Sequence, residues 1–128
     1  MNWIIDTNIA IDLRDGDQMM IDRVAALDGA VLLSVVSRVE LEGGVYQIPA
    51  ESGRRRARLD GLLTVLPVLD FDERCADAYR SIIERAGYSR RKVLDRMIAA
   101  QALVANATLI TCNGDDFRDV PGLTLIEW

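Results

Sequence analysis

The chain has 128 residues, the size of one domain spanning 1–128, and half of them are hydrophobic, too many for a disordered chain. Twenty acids against fifteen bases leave a net charge of -5, with no histidine and one lysine, Lys92. That excludes Ser-His-Asp and Cys-His nucleophilic pairs, imidazole metal ligands and histidine-driven attack by a ribose hydroxyl, so any catalysis must rest on carboxylates.

In chain order, Asn2 to Ile5 is short, apolar and β-branched, and reads as a buried strand that ends on Asp6 and turns into a helix capped by small polar side chains. A helical stretch from Asp17 to Leu27 precedes a second apolar run, Val31 to Val36, closed by Ser37. Val39, Leu41 and Val45 with Glu40 and Glu42 predict a helix from Ser37 to Tyr46, cut off near Gly43 and Gly44. Pro49 opens a helix that runs to Leu66, where Pro67 interrupts it, and Val68 to Phe71 is a brief strand.

Asp72 caps a helix to Ala86, with Ala76, Tyr79, Ile82 and Ile83 as its apolar stripe and Gly87 as its stop. A sixth helix from Leu94 to Ala105 leads into a strand from Thr108 to Cys112, and a Pro121-Gly122 turn precedes a last strand, Leu123 to Trp128. Short apolar strands without strict alternation, separated by helices, indicate an α/β domain with a mostly parallel sheet buried on both faces. In such sheets the ligand site lies at the carboxyl ends of the strands.

Cys75 and Cys112 lie far apart with no CxxC spacing, and both read as small buried or half-buried thiols rather than zinc ligands. The start, MNWIIDTN, lacks the basic region of a signal peptide, and no apolar run nears the ~20 residues needed to span a bilayer. A soluble, cytoplasmic protein with no membrane attachment is expected.

Acidic residues meet the strand-end condition or open a helix beside it: Asp6, Glu40, Asp95, and Asp115 with Asp116. Carboxylates converging from such distant positions would repel one another unless a hard divalent cation neutralised them, and oxygen-only ligands favour Mg²⁺ or Mn²⁺. Each also has a purely structural role open to it. Asp6 can cap the following helix, Ser37-Arg38-Val39-Glu40 reads as a capping box, Asp95 suits a helix start, and Asp115-Asp116 suits a solvated turn.

Asp6-Thr7-Asn8 after the first strand, Glu40-Leu41-x-x-Gly44, Asp95-x-x-Ile98-Ala99-Ala100-x-Ala102-Leu103 and Thr111-x-Asn113-x-x-Asp116-Phe117, in that order, resemble the successive signatures of PIN-domain ribonucleases. More narrowly, they resemble the VapC-type toxins of bacterial type II toxin–antitoxin systems, whose ending is also similar to Gly122-Leu123 to Trp128. The resemblance implies a three-layer α/β/α sandwich around a mostly parallel sheet and a Mg²⁺- or Mn²⁺-dependent endoribonuclease that cleaves single-stranded RNA. It makes Asp6 and Asp95 the principal metal ligands, with Glu40 and Asp116 completing the acidic, metal-binding and catalytic cluster, and Thr7, Asn8, Thr111 and Asn113 the polar residues that shape the pocket. Glu42 has no counterpart in the motifs and reads as a surface residue. The resemblance also implies a VapB-type antitoxin partner, whose C-terminal segment covers the active groove, and a homodimer.

Without a histidine base, hydrolysis needs a metal-activated water, which attacks phosphorus in line and leaves a 5′-phosphate and a 3′-hydroxyl. RNA affinity in an acidic chain must come from a local patch and the cation. Two arginine-rich stretches are available, Arg54, Arg55, Arg56 and Arg58, and Arg90, Arg91 and Lys92, of which the second, just before Asp95, is the candidate RNA contact. Rival readings are a catalytically silent binding module of the same fold and a Mg²⁺-binding receiver-like phosphoacceptor; a haloacid-dehalogenase-type phosphatase would need Asp-x-Asp where this chain has Asn8.

Overall fold

Apolar strand segments pair so that their central residues are covered on both faces of the sheet, as Ile4, Ile5, Leu109 and Ile110 are. The computed structural model describes residues 1–128 and contains β1 (Asn2–Ile5), α1 (Thr7–Arg14), α2 (Gln18–Ala25), β2 (Ala30–Ser34) and α3 (Val35–Tyr46). After a 3₁₀ turn at Pro49–Glu51 come α4 (Ser52–Val65), β3 (Val68–Leu69) and α5 (Glu73–Ala86). A second 3₁₀ turn at Arg90–Lys92 leads into α6 (Val93–Val104), β4 (Thr108–Thr111), a third turn at Gly114–Asp116 and β5 (Leu125–Glu127).

The five strands form one sheet in the order β3-β2-β1-β4-β5, and every pairing is parallel. Alternation along the strands divides the core into two faces. Ile4 and Leu109 point to one side, toward Ile82 of α5 and Ile98, Ala99 and Ala102 of α6; Ile5 and Ile110 point to the other, toward Ile9, Met20, Leu41 and Leu59. All but Ile82 and Met20 of these are essentially inaccessible, and a fully buried Leu or Ile side chain is worth about 1.5–3 kcal/mol. The result is the expected three-layer sandwich.

Strand order reverses at β1, which pairs with β2 on one side and β4 on the other, so the crevice outside the carboxyl ends of β1 and β4 is the topological position for a ligand. This order is not the 2-1-3-4-5 of receiver-like domains, which removes the phosphoacceptor reading. No helix is long and apolar enough to cross a membrane.

Two polar devices tie the layers together. Ser34 ends β2, accepts a hydrogen bond from Val36 N at 3.0 Å as the α3 cap, and donates to the buried Gln101 side chain. The Gln101 amide in turn donates to Leu69 O and Asp70 O at 3.0 and 3.1 Å, fastening the end of β3. Gly29, before β2, has φ +112, and a Cβ there would lie 2.0 Å from Met1 O, so this turn requires glycine.

Several expectations need correcting. α3 begins at Val35 because Ser34, not Ser37, supplies the cap; Ser37 lies within the helix, fully buried. The capping box therefore does not form. β3 and β5 are shorter than predicted, since only Val68–Leu69 and Leu125–Glu127 find partners at the two sheet edges. Cys75 is buried as expected, but Cys112 is exposed, because β4 ends at Thr111 and the next residue turns out into the loop.

Candidate active site

The carboxyl end of β1 delivers Asp6 into the crevice between β1 and β4. Its Oδ1 accepts from Thr7 N at 2.8 Å, so Asp6 caps α1, while its Oδ2 accepts from Thr111 Oγ1, also at 2.8 Å. Capping and a place in the site are thus compatible: one oxygen serves each. Thr111 in turn accepts from Asn113 N at 2.9 Å, and Asn113 Nδ2 donates to Asp116 Oδ2 at 2.6 Å. One chain of hydrogen bonds positions two of the predicted acids.

α3 supplies Glu40, whose Oε1 accepts from Thr7 Oγ1 at 2.9 Å; the same hydroxyl lies 2.7 Å from Ser37 Oγ. With the capping box absent, Glu40 is committed to Thr7 and not to its own helix end. α6 supplies Asp95 from its first turn, where its charge is favoured by the helix dipole.

Asp6, Glu40, Asp95 and Asp116 all line one cavity of about 800 Å³ together with Thr7 and Asn8. Thr111 and Asn113 act from behind, holding the acids. The two neighbouring aspartates divide: Asp116 faces the cavity, whereas Asp115 is 82% exposed and pairs with Arg118. Glu42 is a surface residue as read, paired with Arg56 at 2.7 Å.

Electrostatics mark the cluster as strained by like charge. Burial, then the neighbouring charges of Asp6, Asp116 and Glu40, push the Asp95 carboxyl up to about 6, against the weaker opposing pull of Lys92. Burial also raises Asp6, partly offset by the hydrogen bonds from Thr111 and Thr7 N, with the charge of Asp116 adding to the rise. Asp95 has no hydrogen-bonded partner to stabilise its charge.

The donors that line the cavity beside these acids fit a hard divalent cation: carboxylates and the hydroxyl and amide oxygens of Thr7 and Asn8, with no sulfur or imidazole. No three acidic side chains are drawn into a closed cage. A cation bound there would therefore complete its coordination with water or substrate oxygens, as Mg²⁺ commonly does when held by one or two carboxylates.

The basic residues divide between the cavity and the surface around it. Arg90 and Arg91 form the exposed turn before α6 and do not line the cavity, and Lys92 is engaged with Asp119 at 3.1 Å. Arg14 and Arg55 line it instead. Helical spacing was the available signal for Arg14: Thr7, Asn8, Ile11, Arg14 and Asp15 occupy one face of α1 and its cap, and all line the cavity. Arg55 belongs to the first arginine stretch, of which Arg54 and Arg56 are taken up by Glu51, Glu42 and Asp60.

Known proteins share this fold along the whole chain. The chain is 29% identical over 134 residues to "Ribonuclease VapC2" of Rickettsia felis, covering all of this chain and 98% of that one. It is 28% identical over 133 residues to "tRNA(fMet)-specific endonuclease VapC" of Shigella flexneri, with the same coverage. Among solved structures, it resembles VapBC2 from Rickettsia felis bound to a DNA fragment from their promoter, at a TM-score of 0.86, 26% identity and coverage of 100% and 99%. VapBC-1 from nontypeable Haemophilus influenzae gives 0.81, 28%, and coverage of 100% and 98%. The family model of the PIN domain matches residues 3–123, nearly the whole chain, and the chain belongs to that family.

Proposed function

We propose that this chain is an endoribonuclease that hydrolyses single-stranded RNA with Mg²⁺ or Mn²⁺, and that it is the toxin of a toxin–antitoxin pair. The observation that carries the reading is the convergence of Asp6, Glu40, Asp95 and Asp116, from four separate segments, on one cavity at the topological switch point. The relatives named as VapC nucleases support the reaction class, and the similar solved VapBC structures support the pairing.

Asp6 and Asp95 would hold the cation, with Glu40 and Asp116 facing the same space. Once bound, the cation supplies charge neutralisation at the phosphate and an acidified attacking water. The chain's own residues set the stage. Thr111 and Thr7 N fix both oxygens of Asp6, Asn113 fixes Asp116, and Thr7, itself bonded to Ser37, fixes Glu40. Preorganised acids of this kind need little rearrangement in the transition state. Glu40, which faces the same space, would act as the base that takes a proton from the attacking water. The products carry a 5′-phosphate and a 3′-hydroxyl.

The antitoxin and a second copy of the chain are the proposed protein partners. An apolar groove of about 880 Å³, bordered by Ile21, Val24, Leu62 and Val65 of α2 and α4, shares Arg14 with the acidic cavity. An apolar helix of the antitoxin laid in that groove could extend toward the carboxylates. Incubation of the purified chain with labelled single-stranded RNA tests the activity: cleavage with Mn²⁺ that stops with EDTA and leaves 5′-phosphate ends supports the reading. Cleavage unaffected by EDTA, or none with either cation, overturns it. A catalytically silent module would bind cation through Asp6 without turning over RNA.

A further inference from the structure

We propose that Arg14 and Arg55 form a phosphate clamp at one end of the acidic cavity, gripping a backbone phosphate of the RNA that flanks the one being cleaved. The inference rests on the RNA-cleaving reading above for the identity of the ligand.

Arg14 is only 5% exposed, yet its guanidinium is committed to the protein through Nε alone, which donates to Asp15 Oδ1 at 3.0 Å. Its two Nη groups donate to no protein acceptor, and they are not sealed in: the one enclosed side-chain nitrogen or oxygen without a partner is Arg96 Nε. Arg14 lines the acidic cavity, and its Nη1 lies beside Gly44, which lines the same cavity. A guanidinium held so deep with its fork unmatched is costly unless an anion meets it.

The surroundings are built around this group. A Cβ on Gly44 would lie 2.9 Å from Arg14 Nη1, so the glycine of α3 makes the space in which the guanidinium rests. Arg55 reaches the same point from α4, its Nη1 donating to Gly44 O at 2.7 Å. Gly44 follows Glu40 by four residues on one helix face, a separation of about 5–6 Å between such positions. The two arginines therefore stand about one helical turn from an acid of the site, while Asp15 steers Arg14 from its Nε side and leaves the fork free.

Charge in the cavity is divided unevenly: of its five carboxylates, Asp6, Glu40, Asp95 and Asp116 form the acidic cluster, while Asp15 sits at the α1 terminus with the two guanidinium groups and leaves that end with a net positive charge. Arginine's planar fork matches a phosphate bidentately. Neither group forms an ion pair with Asp6, Glu40, Asp95 or Asp116, so both are available to substrate.

Binding of a fluorescent single-stranded oligouridylate to the full chain, followed in EDTA across a range of salt concentrations, tests the clamp without turnover and so apart from cleavage. Arg55→Ala and Arg14→Ala should each weaken binding about tenfold and flatten the slope of log K against log salt by about 0.7. Should Arg14→Ala fail to fold, Gly44→Ala displaces the same guanidinium from a position where alanine suits the helix, and should reproduce the loss. Wild-type affinity and slope in folded Arg55→Ala and Gly44→Ala overturn the proposal, as does absence of measurable binding by the wild-type chain. Loss of association with a co-expressed partner protein, with oligouridylate binding unchanged, assigns the arginines to protein docking and equally overturns it.

Discussion

Thr111 Oγ1 donates to Asp6 Oδ2 at 2.8 Å, joining the ends of β4 and β1 across 105 residues of chain. Both residues are buried, so the bond sets the orientation of the carboxylate and opposes the upward pull of burial on its pKa. Thr111→Val keeps the shape and removes the donor. It should lower stability by about 1–3 kcal/mol, because an oxygen of Asp6 is left unsatisfied. Cation-dependent cleavage at neutral pH should fall about tenfold or more, the usual cost of removing a partner that orients a metal ligand. Denaturant melts and cleavage rates at several cation concentrations read the two effects separately.

Asp95 gives the site its pH dependence. Its carboxyl is raised from 3.8 to about 6 in the folded chain, so the folded state holds a proton that the unfolded state has released between those values. The associated stability is present in full below about pH 4 and is lost as pH rises through about 6. Asp95→Asn, which cannot charge, should therefore gain on the wild type through that window, by about 1–2 kcal/mol above it after allowance for solvent screening. Saturating Mg²⁺ should narrow the gap, since the cation favours the charged carboxylate. Apparent cation affinity in the wild type should rise with pH through about 6. Stability curves at several pH values, with and without Mg²⁺, check all three.

Glu40 and Ser34 separate chemistry from capping. Glu40→Gln still offers an oxygen to Thr7 Oγ1 and should melt within a few degrees of the wild type, yet its cleavage rate should fall about a hundredfold through loss of the general base. Ser34→Ala removes the true α3 cap and a partner of buried Gln101, and should cost about 2 kcal/mol. Thermal melts beside cleavage rates distinguish the two variants.

Away from the site, Arg96 is 2% exposed and bonded to Asp119 Oδ2 at 3.0 Å and to Gly87 O. Burial alone would raise Asp119, but its bonds to Lys92 and Arg96 hold the carboxyl below its usual range. Asp119→Ala would strand a buried guanidinium, and should destabilise the chain by about 1–3 kcal/mol in a urea titration.

The layered fold and the convergence of four acids were legible because strand ends and motif order are local, one-dimensional signals. Hydroxyl bookkeeping was not. Ser37 and Ser34 are equally good caps in sequence, and only the end of β2 decides that Ser34 caps while Ser37 turns inward to Thr7. Basic residues of the cavity were hidden for a related reason: Arg90 and Arg91 are near Asp95 in sequence and exposed, whereas Arg14 and Arg55 reach the cavity from other helices. The motif already favours Asp116 over Asp115 through the Asp116-Phe117 pairing, and the structure agrees, with Asp115 turned out to Arg118.

Cleavage of labelled single-stranded RNA by purified Asp6→Asn and Asp95→Asn, in Mn²⁺ and beside the wild type, bears most directly on the acidic cavity as a catalytic centre. Both variants should keep the far-UV signature of the fold and lose about a hundredfold or more in rate, since each removes a charge that holds the cation. Wild-type cleavage by either folded variant would contradict the account.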